Sequence, residues 1–467
     1  MNAVATDIRV DRGAQRELNA SFKGELVRPG DPTYDEHRMV WNGSIDRFPA
    51  LIARCSGVPD VIAAVRFARS TGLPLAVRGG GHSYPGHSVC DGGLVIDLGP
   101  MKGIRVDSEV RTTRVQAGVL WGELDRETQA FGLATTGGIV SHTGVAGLTL
   151  GGGVGWLHRR HGLTIDQLLS VELITAEGEL VKASETENPD LFWGVRGGGG
   201  NFGIVTEFEF GLHPVGPTVL AGPIFWPMEQ APDLLRFYRQ WSAAAPDELM
   251  TYVVQRRAPA VDFVPSAVHG QLVVAIVCCY TGAVEDGEKI VRSLRAFGSP
   301  VLDLCEPKPY VAHQTMFDAA FPHGWRYYFR ACDVAELSDE LIDVMVEYGR
   351  RIVSPITSVG VWQMGGAVAR VADSETAFNG RDAAFTFNIN GNSRTAEGFE
   401  REREWARAYW SALEPYHTSV YVNFLMEEGQ ERIRQAYGAE KYERLKALKR
   451  AYDPTNLFRL NQNIPPD

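Results

Sequence analysis

Along the first 214 residues, helical hydrophobic spacing alternates with short apolar runs. Between Pro59 and Gly72, apolar residues recur three and four positions apart. This spacing predicts a helix with Pro59 in its first turn and Gly72 at its end. The same reasoning predicts strands at 48–54, 73–78, 94–98, 112–116 and 204–210, helices at 121–131 and 190–195, and a hairpin over 168–183 that turns at Glu177–Gly178.

The pattern changes after the breaker cluster at 213–217, which we take as a domain boundary. Strand-like runs at 271–280 and 384–389 alternate there with helical patterns at 231–244 and 338–353. Such alternation is typical of an antiparallel sheet covered by helices on one side. A basic helix at 440–452 follows, and Asp453 and Pro454 end it. The predicted fold class is α+β, with more than one domain.

Glycine is concentrated in three clusters, at residues 78–86, 144–155 and 196–203. Glycine allows backbone N–H groups to approach an anion closely, so three such loops indicate a large phosphorylated ligand. Gly198, Gly200 and Gly203 match the spacing of the dinucleotide-binding fingerprint. That fingerprint requires a strand before it and a helix after it, whereas the order predicted here is the reverse.

Composition narrows the range of partners. The chain of 467 residues has a net charge of −11, which argues against nucleic acid or an anionic membrane as a partner. Its six cysteines show neither zinc-ligand spacing nor the density of a disulfide framework. We therefore expect no metal. The absence of a signal-peptide pattern and of any long apolar run predicts a cytoplasmic protein. We separately expect a monomer or a homodimer.

Four motifs, in this order along about residues 40–467, resemble the berberine-bridge-enzyme branch of the vanillyl-alcohol-oxidase flavoproteins. They are Arg78-Gly-Gly-Gly-His-Ser-Tyr-Pro-Gly, Gly144-Val-Ala-Gly-Leu-Thr-Leu-Gly-Gly-Gly-Val-Gly-Trp, Arg196-Gly-Gly-Gly-Gly-Asn-Phe-Gly-Ile-Val-Thr and Tyr452-Asp-Pro-Thr-Asn-Leu-Phe-Arg-Leu-Asn-Gln-Asn-Ile-Pro-Pro. The resemblance implies a PCMH-type FAD-binding domain of two α/β subdomains at 1–214, to which a C-terminal segment at 421–467 returns. It implies a substrate domain at 215–420.

The resemblance also implies how FAD is held. His82 matches the histidine that is bonded to the flavin 8α-methyl group. Many relatives form a second bond from a cysteine eleven residues before the Gly-Gly-Gly, but Val140 occupies that position here, so we expect a single bond. The residues expected to bind FAD are Arg78, Gly79, Gly80, Gly81, His82, Ser83, Gly86, His87, Gly144, Gly147, Leu150, Gly151, Gly152, Gly153, Gly155, Trp156, Gly203, Ile204, Val205, Asn461 and Asn463.

The catalytic bases usual in the family are absent. Many relatives place a catalytic tyrosine last in a Tyr-x-Asn-Tyr strand, and here that position is Phe424. Others use a glutamate on a strand that follows a His-Arg pair, but residues 383–396 contain no Asp or Glu. Three alternatives follow. The base is relocated to Tyr421, His313 or Tyr310; no base is needed, as when a neutral amine gives up hydride directly; or the reaction is not a simple oxidation. In the second case Asn388, Asn390 and Asn423 orient the substrate.

The leading hypothesis is therefore an FAD-dependent oxidase of secondary metabolism. It would transfer hydride from a small amine or alcohol to flavin N5 and then pass the electrons to O2, giving hydrogen peroxide. Two alternatives are a flavin-binding carrier or scaffold that has lost catalysis and an FAD-linked dehydrogenase that does not use oxygen.

Overall fold

The computed structural model describes residues 12–467, and strands up to residue 214 form two small sheets and one short strand pair. The first sheet has the order β1-β2-β4-β3, in which β2, β4 and β3 run parallel. The second is antiparallel, with the order β5-β6-β10-β8-β9, and includes the predicted β8–β9 hairpin. The strands are β1 Glu25–Val27, β2 Leu51–Arg54, β3 Leu75–Arg78, β4 Leu94–Asp97, β5 Ile104–Asp107, β6 Thr112–Gln116, β7 Leu133–Ala134, β8 Leu168–Ile174, β9 Leu180–Ser184, β10 Ile204–Gly211 and β11 His213–Pro214.

Seven α-helices accompany these strands within the described residues. The predicted helix after residue 57 connects β2 to β3; it has proline in its first turn and ends at Gly72, whose φ of 68° lies in the left-handed region. The N–H of Gly72 donates to the carbonyl of Ala68, which closes the last turn. The helices are α1 Arg12–Ser21, α2 Tyr34–Arg38, α3 Val58–Thr71, α4 Trp121–Gln129, α5 Val145–Leu150, α6 His158–His161 and α7 Pro189–Val195. Residues 1–11, for which the sequence predicts an arm or a short helix, lie outside the described residues.

Residues 218–419 contribute the strands of one large antiparallel sheet. Its order is β15-β12-β14-β13-β18-β19-β17-β20, and β16 also pairs with β12. Neighbouring residues along a strand face opposite sides. Val253 and Ile276 accordingly pack under helices, whereas Val254 and Val277 pack toward the first half of the chain. The strands are β12 Thr218–Pro227, β13 Leu249–Arg257, β14 Leu272–Tyr280, β15 Leu302–Asp303, β16 Glu306–Pro309, β17 Arg326–Val334, β18 Ser358–Gln363, β19 Phe385–Ser393 and β20 His417–Ser419.

Amphipathic helices cover one face of the large sheet, as the helical spacing predicts. Leu234, Leu341 and Ala406 lie on three of these helices and are fully buried in the core beneath them. The remaining helices of the chain are α8 Ala231–Ala243, α9 Val284–Arg295, α10 Tyr310–Gln314, α11 Asp339–Arg350, α12 Ala367–Arg370, α13 Ala396–Leu413, α14 Gln430–Tyr437 and α15 Ala439–Tyr452. None of the helices within residues 12–467 combines the length and apolarity needed to cross a bilayer.

The C-terminal segment returns to the third glycine cluster. The side chain of Asn201 donates to the carbonyl of Gln462 at 3.2 Å and accepts from the N–H of Ile464 at 3.0 Å. Lys449 donates to the carbonyl of Asn201 at 2.9 Å and pairs with Asp453 at 2.7 Å, and both charged side chains are fully buried. The chain end is thus fixed against loops that belong to the first half.

Candidate active site

A cavity of about 340 Å³ lies where the glycine clusters meet the large sheet. Glycine-rich backbone forms one wall, aromatic and asparagine side chains of the large sheet form another, and the C-terminal segment completes the lining. The predicted FAD-binding residues that line it are Gly79, Gly80, Gly81, His82, Ser83, His87, Gly144, Gly147, Leu150, Gly151, Gly203, Ile204, Val205 and Asn461. The structure therefore brings all four motifs to one site.

Seven predicted FAD-binding residues do not line this cavity: Arg78, Gly86, Gly152, Gly153, Gly155, Trp156 and Asn463. Arg78 forms a buried ion pair with Asp97 at 2.8 Å, at the end of two parallel strands. A Cβ on Gly155 would collide with the carbonyl oxygen of Gly137, so this glycine serves close backbone packing. Arg78 and Gly155 therefore shape the loops without lining the cavity.

His82 borders the cavity and is held by neighbouring rings. Its Nε2 lies 2.7 Å from Nδ1 of His142, and the indole of Trp41 stacks on it at 4.8 Å between ring centroids. Burial, reinforced by nearby His142 and His323, holds the pKa of His82 well below its usual range. The imidazole is therefore neutral near pH 7 and keeps a nucleophilic lone pair.

The cavity walls fit an FAD molecule. A Cβ placed on Gly147 or Gly200 would meet no atom within 4 Å, so both glycines border open space. A Cβ on Gly80 would instead collide with the backbone nitrogen of Gly144, which shows that the first two glycine loops touch each other. The side-chain oxygen of Asn461 is buried without a hydrogen-bond partner, and a bound ligand with N–H or O–H groups would satisfy it.

Val140 lines the cavity at the position of the second attachment residue of many relatives. Across residues 12–467, no cysteine lines the cavity, and all six are buried as free thiols elsewhere. Cys278 and Cys279 lie in β14, as the apolar run at 272–277 predicts. His82 is thus the side chain at the cavity that matches a family attachment residue.

Tyr421 and Asn423 meet beside the second glycine cluster and line the cavity. The Tyr421 hydroxyl accepts from the N–H of Gly153 at 2.8 Å and from Nδ2 of Asn423 at 2.7 Å. Burial raises the pKa of Tyr421 to about 12 despite these donors. In this chain Val422–Phe424 forms a single 3-10 turn rather than a strand. The turn places Phe424 against the Tyr421 ring, with centroids 4.8 Å apart.

Asn388 and Asn390 lie two positions apart on β19 and therefore point to the same face of the sheet, into the cavity. The side chain of Asn388 acts on the Tyr84 hydroxyl and partly offsets the rise that burial causes in the pKa of Tyr84. Nδ2 of Asn390 donates to Oγ of Ser358 at 3.3 Å. The side-chain oxygens of both asparagines are buried without a partner, so they offer two acceptors to a ligand.

Tyr310 and His313 do not line the cavity. Both lie on the short helix α10, which packs against α4 rather than facing the glycine loops. Tyr310 is fully buried near Asp125, and the ring of His313 lies 4.3 Å from that of Trp156. Burial lowers the pKa of His313 to about 3. The placement of α10 removes both residues from reach of a ligand in the cavity.

Sequence reasoning missed several residues of the site. Trp41 stacks on His82, Tyr252 and Trp362 line the cavity from adjacent strands, and His142 holds Nε2 of His82. The aromatic residues carry no local signal: pairing of strands in the large sheet brings Tyr252 and Trp362 to the site, and stacking on Tyr327 holds Trp41 there. His142 does carry a local sequence signal, because it stands two residues before the second glycine cluster.

The mixed α and β fold and the glycine-lined cavity define an FAD-binding oxidoreductase of the PCMH type. Residues 49–184 match the family model described as an FAD binding domain, and residues 420–465 match the model described as berberine and berberine like. The chain belongs to this berberine-bridge-like family of FAD-linked oxidoreductases and is an enzyme. The predicted family resemblance and fold class are thereby confirmed.

Three relatives illustrate the similarity. The (R)-6-hydroxynicotine oxidase of Paenarthrobacter nicotinovorans is 32% identical over 467 aligned positions, which cover 96% of this chain and 98% of that protein. The crystal structure of 6-hydroxy-D-nicotine oxidase from Arthrobacter nicotinovorans superposes with a TM-score of 0.87 at 30% identity and covers 100% of both chains. Glucooligosaccharide oxidase from Acremonium strictum, which has a 6-S-cysteinyl, 8α-N1-histidyl FAD, shares the fold at a TM-score of 0.85, with 24% identity and coverage of 97% of this chain and 99% of that chain.

Proposed function

We propose that this enzyme is an oxidase that removes hydride from a C–H bond of an uncharged small molecule, with a neutral amine as the leading substrate class and an alcohol as the second. O2 is the proposed final acceptor, giving hydrogen peroxide. One observation carries the substrate class. Within the described residues, no Asp, Glu, Lys or Arg lines the cavity. Bound FAD would supply the two-electron acceptor.

The uncharged lining favours a substrate that needs neither an ionic partner nor a carboxylate base. An ammonium group would lose its hydration here without gaining a counter-ion, so an amine would bind as its free base. The nitrogen lone pair of such an amine compensates for loss of hydride from the adjacent carbon, and no protein base is then required. The aromatic rings of Tyr252 and Trp362 favour a flat, apolar body, and the free oxygens of Asn388 and Asn390 would accept from its donor groups.

An alcohol substrate would need a group to take its proton, and Tyr421 is the one predicted base that lines the cavity. Its raised pKa of about 12 keeps the hydroxyl protonated in the neutral range, which weakens this alternative. In the proposed reaction Tyr421 and Asn423 therefore orient the substrate and the adjoining loop.

We propose further that FAD is attached through His82 alone. The neutral imidazole at the cavity wall and the valine at position 140 support a single linkage. Mass spectrometry of the denatured protein and of its peptides tests this directly. One flavin on the His82 peptide is expected; a flavin-free chain or a flavin on a cysteine peptide would contradict the proposal.

We also propose how the chain divides into an FAD-binding domain and a substrate domain. Residues up to 214 together with 421–467 would form the FAD-binding domain, and residues 215–420 the substrate domain. The gathering of all strands at 218–419 into one sheet supports this division. So does the hydrogen bonding of the C-terminal segment to Asn201.

The decisive experiment is a screen of alcohols and of uncharged amines that carry an aromatic ring and a C–H bond next to the nitrogen, read by peroxide production in air and by flavin bleaching without oxygen. An oxidase gives both signals. Bleaching without peroxide would indicate a dehydrogenase. A chain that binds FAD but is not bleached by any member of the screen would support the catalytically impaired carrier, which the missing family bases favour.

A further inference from the structure

Three histidines from three separate loops meet beside the cavity. His82, His142 and His323 each place one ring nitrogen within 4.8 Å of the others. The ring centroids of His142 and His323 are 5.0 Å apart, and those of His82 and His142 are 4.8 Å apart. His323 is exposed, whereas His82 borders the cavity. The three rings therefore lie side by side between the proposed flavin attachment residue and solvent.

The contact between His82 and His142 allows us to assign which ring nitrogen donates a proton and which accepts it. Nδ1 of His142 faces Nε2 of His82 at 2.7 Å, and the nearby backbone of Asp318 acts to raise the pKa of the His142 ring. Because Nδ1 of His142 faces Nε2 of His82, we assign the ring proton of His142 to its Nε2. Nδ1 of His142 then carries a lone pair, Nε2 of His82 donates to it, and Nδ1 of His82 is free to react.

Asp318 also fixes the loop that carries His142. Its carboxylate accepts from the N–H of Ser141 at 2.8 Å and from Oγ of Ser141 at 2.5 Å. The titratable groups that face His142 are His82, His323 and Asp318. Asp318 raises the pKa of the His142 ring, whereas burial lowers that pKa more strongly. The ring is thus neutral near pH 7 and able to accept a proton.

Attachment of a flavin to a histidine requires removal of a proton from that histidine. A C–N bond forms between the ring nitrogen and the 8α-carbon, and one C–H bond of the methyl group breaks. The electron pair of that C–H bond stays in the flavin ring, and O2 then takes it and becomes hydrogen peroxide. The methyl proton and the histidine N–H proton are both released. A histidine without a proton acceptor at its other nitrogen would have to remain a buried cation after attack.

We propose that His142 is the positioning residue for flavin attachment: it aims Nδ1 of His82 at the 8α-carbon, takes the proton from Nε2 of His82, and hands it to His323 at the surface. This inference rests on the proposed covalent linkage. It assigns the cluster a role in cofactor maturation rather than in substrate turnover.

The test is the rate of covalent attachment when the full-length apoprotein is mixed with FAD, read as protein-bound flavin after denaturation. General-base removal predicts an attachment rate about 100-fold lower in His142→Ala, with FAD still bound non-covalently and with added imidazole restoring the rate. His142→Gln retains a hydrogen-bond acceptor but cannot take the proton, so it should be equally slow. An attachment rate in His142→Ala equal to that of the wild type would overturn the inference.

Three controls separate the alternatives. His82→Ala should carry no covalent flavin; if the wild type also carries none, the proposed linkage itself fails. If the wild type attaches FAD and His142→Ala attaches it equally fast, only the relay fails. His323→Ala should attach FAD more slowly in dilute buffer and recover in concentrated buffer, since buffer replaces its proton transfer. A chelator should have no effect, because a metal-dependent attachment would overturn the proton relay.

Discussion

The phenolic oxygen of Tyr421 lies 2.7 Å from the amide nitrogen of Asn423, and the amide donates to it. The N–H of Gly153 donates to the same oxygen at 2.8 Å. The same Asn423 nitrogen also donates to the carbonyl of Leu148 at 2.9 Å. The pair therefore joins the C-terminal segment to the second glycine cluster at the wall of the cavity.

This geometry predicts a limited effect of removing the Tyr421 hydroxyl. Tyr421→Phe should lower kcat by about tenfold or less, because a positioning group is lost, whereas loss of a general base typically costs 10²–10⁴-fold. Steady-state kinetics with a substrate found in the screen checks this. Phe424→Tyr, which adds a hydroxyl at the usual base position nearby, is the matched control for changes in local packing. A thousandfold loss in Tyr421→Phe would identify Tyr421 as the base.

The ionisable side chains of the cavity predict a flat pH profile for kcat. Burial lowers the pKa of His87 to about 4 and raises that of Tyr421 to about 12. It also raises the pKa values of Tyr84, Tyr252 and Tyr437. A histidine is neutral at any pH above its lowered pKa, and a tyrosine is neutral at any pH below its raised pKa. We therefore expect kcat to stay constant from about pH 6 to 10, and one steep ionisation within that interval would require a base that this cavity lacks.

The substrate should introduce the only ionisation in kcat/KM. If the amine binds as its free base, kcat/KM rises with pH up to the pKa of the amine and then stays level. Two substrates whose amine pKa values differ should have inflections that differ by the same amount. Identical inflections for both would assign the ionisation to the protein.

The sequence predicts those residues of this site that belong to contiguous motifs. The glycine loops, His82 and the return of Asn461 could be predicted, because close backbone approach dictates glycine and the motifs are contiguous. Tyr252, Trp362 and Trp41 could not, because their positions depend on strand register and on packing between distant segments. His313 illustrates the opposite failure. A histidine is chemically suited to catalysis, but the tertiary placement of α10 buries it behind Trp156.

Two glycines of the second cluster should respond differently to alanine. Gly147 lies in α5 with open space at its Cβ position, so Gly147→Ala should leave the apoprotein as stable or about 0.5–1 kcal/mol more stable. The added methyl intrudes into the cavity, and FAD affinity should fall about tenfold or more. Gly155→Ala should instead destabilise the apoprotein, since its Cβ would collide with the Gly137 carbonyl. Melting temperatures, and FAD titrations in the His82→Ala background where no covalent bond can form, distinguish the two. Equal FAD affinity with and without Gly147→Ala in that background would argue against cofactor contact there.

The buried pair of Lys449 and Asp453 should matter for stability more than any exposed pair nearby. Lys449 also donates to the carbonyls of Asn201 and Phe458, and Asp453 accepts from the N–H of Phe458. Lys449→Met leaves the Asp453 carboxylate buried without its counter-ion, so unfolding free energy should fall by about 3–5 kcal/mol. The adjacent Arg450 is half exposed and meets Asp467 only at 3.9 Å, so Arg450→Met should cost about 1 kcal/mol or less.

Denaturant unfolding of both variants provides the comparison. Exposure of the flavin to solvent, read by its fluorescence, is expected at lower denaturant in Lys449→Met alone, because this lysine fixes the third glycine cluster. Equal losses in the two variants would contradict that role.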